Sequence, residues 1–136
     1  MKKLIIASTL AVILAAPVSS QAGTTRLIDH QHASFTAPAG REITPAMVHD
    51  AIVATGKTHG WAVTAEEPGK MTLSNTIRNT FKVVINVSYD ASGMQVDYVS
   101  SENLNYKTYH GEPYIHPKYN KWVGVLTQGV QARLSY

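Results

Sequence analysis

The stretch from Thr80 to Asp90, "TFKVVINVSYD", decides the fold, because its large apolar residues fall at every second position. This period of two is typical of a β-strand with one buried face and one wetter face. The buried face is predicted to carry Phe81, Val83, Ile85, Val87 and Tyr89. Such a face must be covered, so the neighbouring segments have to supply partner strands and a second layer.

The segments on either side of this strand predict an antiparallel meander. Three of them alternate in the same way, at 61–67, 71–77 and 94–98. Pro68–Gly69 and Asp90–Gly93 have the composition of short turns, which join neighbouring strands without a crossover. A further strand is predicted before the meander, within residues 27–35.

Two segments show helical rather than strand periodicity. The first follows Thr44, which suits an N-cap, and Pro45, which suits the first helical position. The second begins at Pro117, and its apolar stripe comprises Tyr119, Trp122, Val123, Leu126, Val130 and Leu134. The predicted order is therefore β-α-β-β-β-β-α, a two-layer α+β sandwich with both helices on one face of an antiparallel meander.

Residues 1–22 have the pattern of a cleaved signal peptide. Lys2 and Lys3 precede an apolar run, and small residues follow at Ser20 and Ala22. The run is short for a membrane span, which needs about 20 apolar residues, although retention as an N-terminal anchor is the alternative. We therefore expect an exported mature protein without a transmembrane segment, folded as a single α+β domain over 23–136.

Charge and cysteine content exclude two classes of partner or anchor. The chain has 12 Lys+Arg and 9 Asp+Glu, for a net charge of +3, and removing Lys2 and Lys3 leaves 10 against 9, or +1. A dense basic face, which nucleic-acid binding requires, is therefore not expected. The chain has no cysteine, so it can neither carry a lipid on a cysteine nor form disulfides, and its stability must come from an apolar core.

The strongest candidate for a binding site is the connection from about residue 100 to His116. Tyr106, Tyr109 and Tyr114 lie in it, and they follow neither a strand nor a helix period. Long connections in compact domains are often functional, and tyrosine offers amphipathic contact area at low entropy cost. We expect these tyrosines and His116 to form a ligand-binding site, with a loop that simply covers a sheet edge as the alternative.

Two other functions have weaker support. His30 and His32 would project from the same face of a strand, which is usable metal-ligand geometry, but two ligands leave a zinc site incomplete. A hydrolase using the 100–116 loop would combine Ser100 or Ser101 with a histidine and Glu102, and spacing alone does not establish such a triad. No cofactor is predicted.

Two motifs carry a resemblance to known proteins: "SSENLNY" at Ser100–Tyr106 and "IHPKYNKW" at Ile115–Trp122. Taken with Gly60–Trp61 and Val87–Asp90, they resemble an uncharacterised family of small exported proteins and lipoproteins of Gram-negative bacteria. The resemblance implies a periplasmic location and one α+β domain, and it implies no activity. The leading hypothesis is therefore a non-catalytic periplasmic protein that binds an envelope component or a protein partner.

Overall fold

A computed structural model of the chain describes residues 25–28 and 31–136, so the expected signal peptide at 1–22 lies outside the described residues. Two helices are present, α1 at Pro45–Thr58 and α2 at Pro117–Leu134. The strands are β1 Arg26–Leu27, β2 Gln31–Ser34, β3 Trp61–Glu67, β4 Lys70–Ile77, β5 Phe81–Tyr89, β6 Gly93–Glu102, β7 Lys107–Tyr109 and β8 Glu112–Ile115. The predicted α+β class is confirmed.

The central sheet has five antiparallel strands in the order β2-β6-β5-β4-β3. Its middle strand, β5, lies between β4 and β6, with Ile85 opposite Leu73 on one side and Tyr98 on the other. The predicted meander is therefore present, and β2 adds to its far edge by pairing with β6.

The helices cover the face of the sheet that the alternation predicted to be buried. Val83, Ile85 and Val87 are completely buried, and they belong to one core cluster with residues of both helices. Gly129 of α2 faces Thr55 of α1 so closely that a Cβ on it would lie 2.6 Å from Thr55 Cγ2. This glycine therefore allows the two helices to approach.

The segment after β6 differs from the aperiodic loop that the sequence predicts. It forms the hairpin β7–β8, and β1 pairs with β8 to complete a second sheet of three strands in the order β1-β8-β7. The turn between β7 and β8 is His110–Gly111, both with positive φ (52° and 78°), as a two-residue hairpin turn requires. The strands are short and mostly exposed, so no alternation of apolar residues marks them.

Both predicted helix starts are confirmed. The side chain of Thr44 accepts a hydrogen bond from the Met47 amide, and His116 caps α2 with extended backbone geometry before Pro117. In the part of the chain that the structure describes, neither helix is long and apolar enough to cross a membrane.

Candidate functional site

The β7–β8 hairpin carries the predicted tyrosines and is held firmly against the rest of the molecule. Ile115 and Leu104 bury their side chains in the core at 0% and 1% exposure. The His116 amide donates to the Leu104 carbonyl at 2.8 Å, and the Ile28 amide donates to the Pro113 carbonyl at 2.9 Å. The hairpin is therefore braced both at its base and along β8.

The backbone leading into the hairpin adopts unusual conformations. Asn103 and Asn105 have φ of +66° and +56°, in the left-handed region that asparagine tolerates better than most residues. The Asn103 side-chain amide donates to the Thr80 carbonyl at 2.6 Å, which ties this segment to the β4–β5 turn. Residues in such conformations persist where the surrounding structure holds them, and they concentrate at functional sites.

Tyr106 ends a stack of rings that runs from the core to the surface. Its ring lies parallel to Tyr98, with centroids 4.4 Å apart, and Tyr98 meets Tyr119 edge to face at 5.7 Å. Tyr119 is 1% exposed, whereas Tyr106 is 42% exposed. Burial raises the pKa of the Tyr119 and Tyr98 phenols, so both stay neutral near pH 7, and the stack provides a surface for contact rather than a source of protons.

Tyr109 forms a second aromatic group at the tip of the hairpin. Its ring is 58% exposed and meets Tyr114 edge to face at 6.0 Å and His110 at 4.2 Å. We call the surface formed by Tyr106, Tyr109, His110 and Tyr114 the tyrosine hairpin. His110 was not among the predicted ligand-binding residues, and the signal for its place at the tip is the following Gly111, which together with it makes a two-residue turn.

His116, the fourth predicted site residue, has a structural task in the described molecule. Its Nδ1 accepts a hydrogen bond from the Lys118 amide at 3.1 Å, and its carbonyl accepts from the Tyr119 amide at 3.0 Å. The amide groups of Lys118 and Tyr119 at this helix end are therefore already hydrogen-bonded within the chain. His116 lies at the base of the hairpin and positions it.

Among the described residues, those of the two weaker hypotheses are not brought together into a site. His30 lies outside the described residues, and His32 is exposed on β2. Within 25–28 and 31–136, no three His, Cys, Asp or Glu side chains are grouped to hold a metal ion. The Ser101 hydroxyl lies 2.7 Å from the Tyr98 hydroxyl, and no described histidine is hydrogen-bonded to Ser100 or Ser101.

His49 is a further notable residue that the sequence did not single out. Its Nδ1 lies 3.0 Å from Asp50 Oδ1 and its Nε2 lies 2.8 Å from Glu66 Oε1, which links α1 to β3. Hydrogen bonds with Asp50 and then Glu66 raise the pKa of His49. Glu66 is distant along the chain, so only the fold brings this pair together.

Of the concave surfaces that the described residues form outside the tyrosine hairpin, two differ clearly in character. One, of about 520 Å³, is open and polar, and it borders the Asp90–Gly93 turn, where the Asp90 carboxylate accepts from the Ser92 and Gly93 amides. The other, of about 300 Å³, we call the tryptophan groove. It is lined by His59, Trp61, Asn75, Ile77, Lys121, Trp122 and Val125.

No family model, curated protein or solved structure matches the chain. The resemblance to exported proteins of Gram-negative bacteria therefore stays a prediction, and function is inferred from the geometry. That geometry offers exposed aromatic rings on a braced hairpin, a combination suited to stacking and to hydrogen bonding through phenol groups.

Proposed function

We propose that this protein is an exported, non-catalytic binding protein of the Gram-negative cell envelope and that it engages its partner through the tyrosine hairpin. The observation that carries the proposal is the exposure of Tyr106 and Tyr109, 42% and 58%, on a hairpin fixed to the core. Large aromatic side chains gain free energy when they are buried. Two aromatic rings left in water on a rigid support therefore favour a partner that covers them.

The rigidity of the hairpin favours binding, in addition to the exposure of its tyrosine rings. The braces at Leu104, Pro113 and Ile115 fix the hairpin backbone before a partner arrives. Tyrosine also has few rotatable bonds, so little conformational entropy is lost when it is immobilised. A surface of this kind is the type that recurs in binding loops held on rigid scaffolds.

The charges around the rings point to a partner without strong net charge. Lys107 lies opposite Tyr114 in the hairpin register, and Glu112 lies opposite Tyr109. The two strands of the hairpin therefore carry one positive and one negative charge. Electrostatic attraction therefore contributes little to the encounter, and stacking with phenol hydrogen bonds supplies the affinity. An uncharged envelope polymer or a polar protein segment meets this description.

The experiment is retention of envelope components on the immobilised protein. The Tyr106→Ala/Tyr109→Ala variant is expected to lose the retained component, while Tyr136→Ala is expected to keep it. Tyr136 is a matched control because it is 77% exposed and lies at the end of the chain, outside the hairpin. Equal retention by both variants, with unchanged circular dichroism, would reject the tyrosine hairpin as the binding surface.

Export is tested separately by sequencing the N-terminus of the protein recovered from the periplasm of an expressing Gram-negative cell. Cleavage after Ala22 gives a chain that begins at Gly23. Recovery of the uncut chain in the membrane fraction would instead show that residues 1–22 are kept as an anchor.

A further inference from the structure

We propose that the tryptophan groove is a second binding site, and that its ligand is a small amphiphile with an apolar body and one carboxylate, of the size of a medium-chain fatty acid. The groove lies where Trp61 of β3, Ile77 of β4 and Trp122 of α2 come together at one end of the sandwich. It does not include any residue of the tyrosine hairpin, so the proposal stands independently of the proposed function.

The walls of the groove suit an apolar body. Trp61 is buried, Trp122 is half-buried and packs against Phe81 with ring centroids 6.0 Å apart, and Val125 exposes 38% of its surface at the rim. The volume of about 300 Å³ is at the lower end of the range for small-molecule sites. It therefore fits a single short chain or ring rather than a large ligand.

The charges at the rim select an anion. His59 and Lys121 line the groove, and Lys118 places its Nζ 5.0 Å from the ring centroid of Phe81, which packs against the lining residue Trp122. None of the residues lining the groove is an aspartate or a glutamate. A carboxylate placed at this rim would gain charge-assisted hydrogen bonds, which are stronger than neutral ones.

Three acidic residues, Glu66, Glu67 and Asp90, lie at the other end of the sheet, whereas Glu102 ends β6 at the end near the groove, opposite Lys82. Trp61 begins β3 and Glu66 and Glu67 end it, which separates them from the groove by about 20 Å at a rise of about 3.3 Å per residue. Asp90, at the end of β5, lies at the same far end, because β5 runs antiparallel to its neighbours. The groove is therefore well separated from these three carboxylates, and Lys121 is the charged residue that lines it.

A buried side-chain amide, that of Asn75, holds the floor of the groove in place before a ligand binds. Asn75 is 6% exposed, and its Nδ2 donates to the His59 carbonyl at 3.0 Å, which fixes the point where the chain leaves α1. Gly60, with φ of +89°, lets the chain turn there, and a Cβ on it would lie 3.1 Å from Asn75 Oδ1. A rim held in this way places His59 beside the groove before a ligand binds.

Intrinsic fluorescence reports this site directly, because the only two tryptophans of the chain, Trp61 and Trp122, both line the groove. Titration of the protein with monomeric decanoate is expected to give a saturable change in tryptophan emission. Decyltrimethylammonium, which has the same chain length and the opposite charge, is expected to give none. Lys121→Gln is expected to weaken decanoate binding severalfold, up to about tenfold.

Two further variants complete the test, with circular dichroism as the check of folding. Lys70→Gln removes an exposed lysine at the far end of the sheet and is expected to leave binding unchanged. Val125→Phe narrows the groove at an exposed position and is expected to abolish it. Equal binding of both amphiphiles, equal effects of the two lysine variants, or binding only to anionic lipid vesicles and not to monomeric decanoate would each overturn the proposal.

Discussion

At the scale of single residues, the tyrosines differ more in burial than their positions in the sequence suggest. Tyr119 is 1% exposed, as its place on the helical stripe predicts, whereas Tyr89 and Tyr98 keep strand register and are only partly buried. Trp122 was likewise predicted in the middle of the stripe and lies at the edge of the core against Phe81. Periodicity predicts which face of a strand or helix a side chain lies on. How deeply the side chain is buried depends on how far the packed layer extends over that face.

This difference predicts unequal costs of truncation. Tyr119→Ala is expected to lower the free energy of unfolding by about 3–5 kcal/mol, the range for large buried side chains. Tyr89→Ala is expected to cost about 1–2 kcal/mol, because its ring is partly in water and its described ring contact is a tilted one with His49 at 6.3 Å. Urea denaturation of both variants measures the two values, and a larger loss for Tyr89→Ala would contradict the assigned depths.

At the scale of elements, the strands with a buried face and the two helices could be predicted, whereas the second sheet could not. The alternation in β5 reflects a face that the helices cover. That face therefore carries apolar residues such as Val83, Ile85 and Val87, which are completely buried. In β7 every residue is exposed, so nothing selects an apolar pattern. The pairing of β1 with β8 joins the two ends of the domain, and no local signal predicts a contact of that range.

The packing of α1 on α2 predicts opposite effects for two glycines of α2. Gly124→Ala is expected to raise the free energy of unfolding by up to about 1 kcal/mol, because no atom lies within 4 Å of the added Cβ and alanine favours the helix. Gly129→Ala is expected to lower it by about 1–3 kcal/mol, because the Cβ would meet the β-branched side chain of Thr55. Thermal or urea denaturation gives the sign of each change. Stabilisation by both substitutions would show that the helices are free to separate.

The contact of His49 in α1 with Glu66 in β3 predicts that the free energy of unfolding depends on pH. Because hydrogen bonds with Asp50 and Glu66 raise the pKa of folded His49 above its ordinary value of 6.5, the folded state binds its proton more tightly than the unfolded state. The stabilisation is therefore fully present below about pH 6 and is lost as the pH rises through the folded pKa. His49 is partly exposed, so the effect is expected to be modest.

The matching measurement compares melting temperatures of the protein and of His49→Gln across about pH 5 to pH 9, a range that brackets the ordinary titration of histidine. The melting temperature of the unmodified protein is expected to exceed that of His49→Gln most at low pH, and the difference is expected to shrink steadily as the pH rises. Glu66→Gln should reduce the same dependence, since it removes one of the two carboxylates that accept from the ring. A constant difference at all pH values would show that the pKa of His49 is the same in the folded and unfolded states.

At the scale of the whole molecule, the fold assembles sites from residues that are far apart in the chain. The tryptophan groove unites the end of α1, the first residue of β3 and the middle of α2, so neither of the two tryptophan positions indicates it alone. Tyr106, Tyr109 and Tyr114, by contrast, could be grouped from the sequence because all three lie in one segment, although the hairpin that carries them was not predicted. The sequence could not predict that Tyr106 would stack on Tyr98 while Tyr109 and Tyr114 form a separate aromatic group at the tip of the hairpin.

The central claim is that the tyrosine hairpin binds a component of the envelope, and hydrogen–deuterium exchange across the whole chain tests it most directly. Exchange is measured by mass spectrometry with and without a solubilised envelope fraction. Protection is predicted for backbone amides within 106–115, with no change at the exposed turn of Pro68–Gly69 between β3 and β4. Protection that is confined to other segments, or the same protection in the Tyr106→Ala/Tyr109→Ala variant, would contradict it.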